Sequence, residues 1–313
     1  FVNIRKLKER GIGIIYISHR MSELGQIADR VTVLRDGEYI ATKQVRETTT
    51  DELVALMVGR TLENYYTRSF NQWDEVVLDV QGLKTDKIHD VSFQLKRGEI
   101  LGFSGLVGAG RSETMQAIFG LDKVQAGSIK LNGQELAGLS ARDILKKGIS
   151  LVPEDRKSDG IFPEMSISFN MSLKVLYEFI KGIRVDAKRE KEIVEEYYNA
   201  LSVKAPDTLT LMRTLSGGNQ QKVVIGSWLA STPKVLILDE PTRGIDVGSK
   251  SEIYAIMNNL AKSGVSIIMV SSELPEILNM SDRVVVMCDG TITGMLDRTE
   301  ASQETIMQLA VKI

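Results

Sequence analysis

Nine consecutive residues raise the first question of chemistry. In Gly105-Leu106-Val107-Gly108-Ala109-Gly110-Arg111-Ser112-Glu113, Gly105 and Gly110 have the spacing of a phosphate-binding loop, and a cation and a hydroxyl follow at once. Glycines so placed let backbone N–H groups turn inward onto phosphate oxygens, and a helix starting there adds its positive end. The cation of such a loop is ordinarily lysine, and Arg111 stands in its place. A guanidinium is still cationic, but it is planar and bulkier than an ammonium, so a nucleotide is expected to sit in altered geometry. Ser112 offers a hydroxyl to Mg²⁺. Asp239, after the apolar run Val-Leu-Ile-Leu, holds a carboxylate rigidly toward the same ion, and Glu240 beside it is suited to orient an attacking water. In this order the residues argue for a nucleotide site with Mg²⁺.

A second string, Leu215-Ser216-Gly217-Gly218-Asn219-Gln220-Gln221-Lys222, lies shortly before the acidic pair. Ser216 with Gly217 and Gly218 opens a helix, so that N–H groups and a hydroxyl can meet an anion presented by another surface. Alone, the string reads more readily as a helix cap.

These groups need particular elements behind them. Ile100 to Ser104 is an apolar strand leading straight into the glycine loop, and residues 111–120 continue as a helix, the order that a phosphate loop requires. Runs from Val76 and Val91 read as early strands, and residues 234–240 as a buried strand ending in two acids. The run SIIMVSS is another strand, and the tail gives VVVM, a turn at Asp289-Gly290, TITGML and an amphipathic last helix. Between Pro163 and Pro206 the pattern is helical, with Ile193, Tyr197 and Leu201 four apart. Short strands alternating with helices predict an α/β fold with a mostly parallel core sheet.

Composition narrows the class. The 313 residues are 43% hydrophobic and 26% charged with a net charge of -2, which gives no reason to expect nucleic acid as the partner. No apolar run is long enough to cross a bilayer. Cys288 is the one cysteine, so neither an internal disulfide nor a cysteine zinc site can form, and it is expected to be a small buried residue.

The chain also repeats itself. GIGIIYISHRMSELGQIADRVTVLRDG from Gly11 aligns without a gap to GVSIIMVSSELPEILNMSDRVVVMCDG from Gly264, at a constant offset of 253. Ile15/Ile268, Ser18/Ser271, Glu23/Glu276, Asp29/Asp282 and Gly37/Gly290 are among the identities. A period this long means two copies of a whole domain. The expectation is a tandem protein of which this chain carries the end of the first copy and all of the second.

Taken together, GLVGAGRSE, VPEDRKSDG, LSGGNQQK, LDEPTRGIDVGSK and IIMVSSELPEI resemble the ABC ATPase family, and within it the second cassette of the tandem ATP-binding subunits of bacterial monosaccharide importers. The resemblance covers essentially the whole chain. It implies an ABC-type P-loop NTPase with an antiparallel β subdomain and a helical subdomain at about 163–230, a first-cassette remnant at 1–60, a linker at 61–74 and a complete cassette at 75–313. It further implies peripheral attachment to the cytoplasmic face of the plasma membrane, through transmembrane permease subunits, with a sugar-binding protein as an indirect partner.

In that family two cassettes face each other, so Leu215, Ser216, Gly217, Gly218, Asn219 and Gln220 would complete the opposing cassette's site, to which His19, the switch histidine, also belongs. Asp246 resembles the aspartate that communicates between cassettes. The second cassette's own site departs from the pattern at Arg111, at Ser272 (the position matching His19) and at Glu154, which stands where a glutamine is usual. It also has no aromatic residue near Leu83 and Lys84 to stack on adenine. Glu240 is retained. The expectation is a site that holds ATP and hydrolyses it slowly. Two other classes fit less of the sequence: a soluble tandem-cassette ATPase, and a regulatory nucleotide-binding module.

Overall fold

The computed structural model describes residues 1–18, 21–35, 37–58, 65–66, 68–70, 74–181 and 184–311. His19, and much of the expected linker from 61 to 74, lie outside the described residues. The chain divides into two compact units, residues 1–67 with 245–252, and residues 68–244 with 253–313.

The first unit contains α1 (Val2–Glu9), α2 (Met21–Ile27), the antiparallel pair β1 (Arg30–Arg35) and β2 (Glu38–Gln44), and α3 (Thr50–Val58). Residues 12–18, apolar as they are, form no strand, and Ile15 and Ile17 are exposed.

The second unit is built on two sheets. β3 (Val76–Lys84), β4 (Val91–Lys96), β6 (Ala126–Leu131) and β7 (Gln134–Glu135) form an antiparallel sheet in the order β4-β3-β6-β7. β5 (Ile100–Gly105), β8 (Ile149–Val152), β11 (Val235–Asp239), β12 (Ser266–Val270), β13 (Arg283–Cys288) and β14 (Thr291–Asp297) form the core sheet in the order β14-β13-β5-β12-β11-β8. All its pairings are parallel except the edge hairpin β13–β14. The expected fold class is the observed one.

β8, β11 and β12 are buried along their whole length, and continuous apolar runs are what a parallel sheet covered on both faces demands. α4 (Arg111–Ile118) follows β5, and α5 (Ala141–Lys147) precedes β8. Val80, Phe93, Phe103, Met115, Ile237 and Val285 belong to one buried cluster that joins the two sheets.

The helical part comprises α6 (Ile167–Ser172), α7 (Leu176–Phe179), α8 (Ala187–Ala200) and α9 (Gly217–Leu229), around Val175, Phe179, Ile193 and Ala230. It is not helical throughout, because β9 (Ile180–Lys181) and β10 (Arg184–Val185) interrupt it with a two-rung hairpin. α10 (Val247–Lys262), α11 (Leu274–Met280) and α12 (Gln303–Ala310) complete the chain. Cys288 departs from expectation, being partly exposed where β13 ends beside the Asp289-Gly290 turn.

Candidate nucleotide site

The glycine loop lies between β5 and α4, where the sequence places it. Gly110 is the N-cap of α4 with φ 97°, and a Cβ there would come within 2.9 Å of the Gly290 backbone, so a side chain is excluded by both conformation and space. Gly108 has open space above it, and Leu106 and Val107 project outward. The first N–H groups of α4, from Arg111, Ser112 and Glu113, have no acceptor within the helix, which is what an anion site offers.

β11 delivers the acids to this loop. Asp239 is 4% exposed, and its Oδ1 has no hydrogen-bond partner among the described residues. Burial pushes its carboxyl up to about 7, against the Ser112 hydroxyl, whose hydrogen bond favours the ionised form. An orphaned, buried carboxylate oxygen beside a serine hydroxyl is a donor set that suits a hard divalent cation, so Ser112 and Asp239 fit the Mg²⁺ role.

Glu240 sits just beyond the strand at φ 47°, a left-handed conformation that costs a non-glycine residue on the order of 1 kcal/mol and collects at functional sites. Its N–H is held by the Val270 carbonyl at 2.9 Å, and its Oε2 accepts from the Ser272 hydroxyl at 3.2 Å. Burial raises its pKa, and the Arg111 guanidinium opposes that rise.

Arg111 is itself 8% exposed. Its Nη1 donates to the Ser271 carbonyl at 3.0 Å, and its Nη2 pairs with Glu240 Oε1 at 3.7 Å. The cation of the phosphate loop thus faces the Glu240 carboxylate. No signal in the sequence pairs Arg111 with a carbonyl 160 residues away.

The other expected residues divide into two groups. Glu154 is exposed and forms an ion pair with Arg243, while Arg156 donates to the carbonyls of Arg243 (2.7 Å) and Gly244 (3.2 Å). This segment is therefore tied to the turn that follows the acids. Ser216 caps α9 by accepting from Asn219, and Gly217 and Gly218 are its first residues. Leu215 donates its N–H to the Met212 carbonyl, Asn219 accepts from the Lys204 N–H, and buried Gln220 donates to the Met212 carbonyl. The string is both a cap and an N-terminal row of N–H groups. Asp246 caps the start of α10, accepting from the N–H and hydroxyl of Ser249.

The ABC transporter family profile matches residues 88–243, the stretch that contains the loop, the Ser216 string and both acids. The chain belongs to the ABC transporter family. Over 99% of its length it is 50% identical to the ribose import ATP-binding protein RbsA of Lactococcus lactis subsp. cremoris, of which it covers 63%. It is equally similar, at 50% over 98% of its length, to the RbsA of Streptococcus agalactiae serotype III, of which it covers 62%. The chain thus spans less than two thirds of the length of these relatives. Among solved structures, a nucleotide-free ATP-binding cassette from an ABC transporter matches 75% of this chain with a TM-score of 0.65 at 19% identity, and the match covers 98% of that cassette. This last likeness speaks for the fold alone.

Proposed function

We propose that this chain is part of the ATP-binding, ATP-hydrolysing motor of a monosaccharide importer, and that the site in its second unit holds Mg-ATP and turns it over slowly. The observation that carries the nucleotide reading is the buried Asp239 oxygen without a partner beside Ser112 at the mouth of the phosphate loop. The transport reading is supported by half-identity along nearly the whole chain to proteins named for ribose import, which makes ribose the first sugar to test.

In this reading residues 75–313 are a complete cassette, 61–74 a linker, and 1–60 the end of a preceding cassette. The partners are transmembrane permease subunits at the cytoplasmic face of the plasma membrane, a sugar-binding protein beyond them, and an opposing cassette on the same protein. Ser216 to Gln220 and His19 serve the opposing site, and Asp246 communicates with it.

At the second site each residue has a distinct task. The loop N–H groups and Arg111 bind the phosphates, and Ser112 with Asp239 holds Mg²⁺. Bound there, Mg²⁺ would neutralise phosphate charge. Glu240 orients the water for in-line attack. Slow turnover follows from two features of this chain. The guanidinium of Arg111 occupies one oxygen of the water-orienting carboxylate, and Ser272 brings a short hydroxyl where an imidazole's reach is expected.

The test is Mg-ATP binding and single-site turnover in the full-length tandem protein. Glu240→Gln is expected to leave overall turnover nearly unchanged, and Arg111→Lys to raise turnover at this site. A collapse of turnover in Glu240→Gln would make this site the motor and sink the slow-site reading. Failure of the protein to bind Mg-ATP would sink the nucleotide reading itself.

A further inference from the structure

Beneath the turn that carries Ser272 lies a carboxylate that this chemistry does not use. Glu276, on α11, is 1% exposed. Its Oε1 accepts from the Thr242 and Tyr254 hydroxyls, the latter at 2.5 Å, and its Oε2 accepts from the Ser271 hydroxyl at 2.6 Å. A carboxylate this deep is retained only where its lone pairs are satisfied, and here hydroxyls do that work.

The three hydroxyls come from three different places. Thr242 stands two residues beyond Glu240, in the turn after β11. Ser271 stands directly before Ser272, at the end of β12. Tyr254 comes from α10, away from either turn. Ser271 is also the residue whose carbonyl receives Arg111, and its hydroxyl accepts the Glu273 N–H at 3.0 Å. One carboxylate therefore links the two turns that face each other across the site.

The repeat isolates the part of this arrangement that is local. In the first copy the Ser18 hydroxyl donates to Glu23 at 2.7 Å, over the same five-residue span as Ser271 and Glu276. Tyr16 donates there as well, at 2.8 Å. The serine–glutamate bond is present although residues 12–18 form no strand, so it does not depend on strand pairing. The tie from Glu276 to Thr242 is what joins that turn to the acidic strand in the second copy.

We propose that Glu276 is a positioning residue of the nucleotide site. Through Ser271 it fixes the carbonyl on which Arg111 rests and the place of Ser272. Through Thr242 it fixes the turn after β11, just beyond Glu240, so the 3.2 Å contact between Ser272 and Glu240 is held from below. The proposal rests on the reading of this site as one for ATP.

The experiment is a calorimetric titration of the chain with Mg-ATP, with thermal unfolding of the nucleotide-free protein in parallel. The variants are Glu276→Gln, Thr242→Val, Ser271→Ala and Tyr254→Phe. Thr242→Val and Ser271→Ala each cut one tie to the site, and each is expected to weaken binding by about tenfold, as loss of an outer-shell partner does. Glu276→Gln is expected to weaken it at least as much. Tyr254→Phe removes a donor to the same carboxylate without loosening either turn, so it is expected to lower the unfolding midpoint and leave Kd unchanged. Binding losses that simply follow the fall in midpoint, Tyr254→Phe included, would overturn the proposal and leave Glu276 as a core residue. If Glu276→Gln does not fold, the three donor variants carry the same discrimination. Absence of Mg-ATP binding by the unmodified chain is a separate failure, that of the ATP reading.

Discussion

Ile15 and Ile268 hold the same place in a segment that occurs twice, yet Ile15 is 93% exposed and Ile268 is fully buried. Residues 266–270 are a central strand with β5 on one side and β11 on the other, whereas their counterparts at 13–17 belong to no strand among the described residues. The segment's other half behaves differently. β1–β2 and β13–β14 have the same bounds when shifted by 253, and both hairpins carry a register shift at the same place, Val33/Leu34 and Val286/Met287. A hairpin draws its hydrogen bonds from its own neighbour in sequence. A parallel strand must find partners far along the chain, and without them its apolar run cannot be a strand. In the first unit the run instead lines an open trough of about 800 Å³ with Ile12, Ile14, Leu24, Val31 and Val33.

The sharpest way to break this comparison is to place a charge at the shared position. Ile268→Asp buries an unpaired carboxylate between two strands and is expected to cost more than about 4 kcal/mol, enough to unfold the second unit. Ile15→Asp is expected to stay within about 0.5 kcal/mol, as exposed substitutions do. Urea unfolding of the two variants decides it, and equal losses would mean that residues 12–18 contribute to a packed core in this chain.

The same distinction between local and distant partners governs how much could be read in advance. β5, the glycine loop and α4 are adjacent in sequence, and the strand ending in Asp239 and Glu240 announces itself by an apolar run closed by two acids. The hairpin β6–β7 has an equally local signal: Asn132-Gly133 supplies two positive-φ residues between short strands, the strongest short-range mark of a hairpin. β8 is a four-residue run, Ile-Ser-Leu-Val, whose strand character comes only from pairing with β11. The site's chemistry was visible as residue types, but its pairings were not. Arg111 with Ser271, Glu154 with Arg243 and Glu276 with Thr242 are contacts over distances in sequence that no local pattern encodes. The identity Glu23/Glu276 was visible in the repeat, and it carried no hint that the side chain points inward.

A second pair of equivalent positions tests the comparison at lower energy. Asp29 pairs with Lys8 at 2.5 Å, with both side chains half or more exposed. Asp282 accepts the Ile100 N–H at 2.7 Å and pairs with Arg68, whose buried side chain lies over the Phe70 ring, on which Arg298 also stacks. Removing one partner of a buried pair leaves the other uncompensated, so Arg68→Ala is expected to cost about 3 kcal/mol. Lys8→Ala is expected to leave the unfolding midpoint where it is, since exposed pairs contribute little. A midpoint loss in Lys8→Ala as large as that in Arg68→Ala would show that exposure does not separate the two positions.

The smallest effect is the most diagnostic, because the two aspartates respond to pH with opposite sign. The hydrogen bond and charge of Lys8 hold the Asp29 carboxyl below its ordinary value, whereas burial pushes Asp282 above it despite Arg68. For Asp29 the unfolded chain is the better proton binder, so its contribution is present above the unfolded pKa of 3.8 and fades as pH falls through the folded value. For Asp282 the folded chain is the better proton binder, so between 3.8 and its raised value stability increases as pH falls. Subtracting the stability of Asp29→Asn from that of the unmodified chain is therefore expected to give a difference that grows as pH rises toward 3.8. The same subtraction with Asp282→Asn is expected to give a difference that shrinks as pH rises above about 4. Slopes of one sign at both positions would mean that Asp282 is governed by Arg68 and not by its burial, and the two copies of this aspartate would then differ in depth without differing in electrostatics.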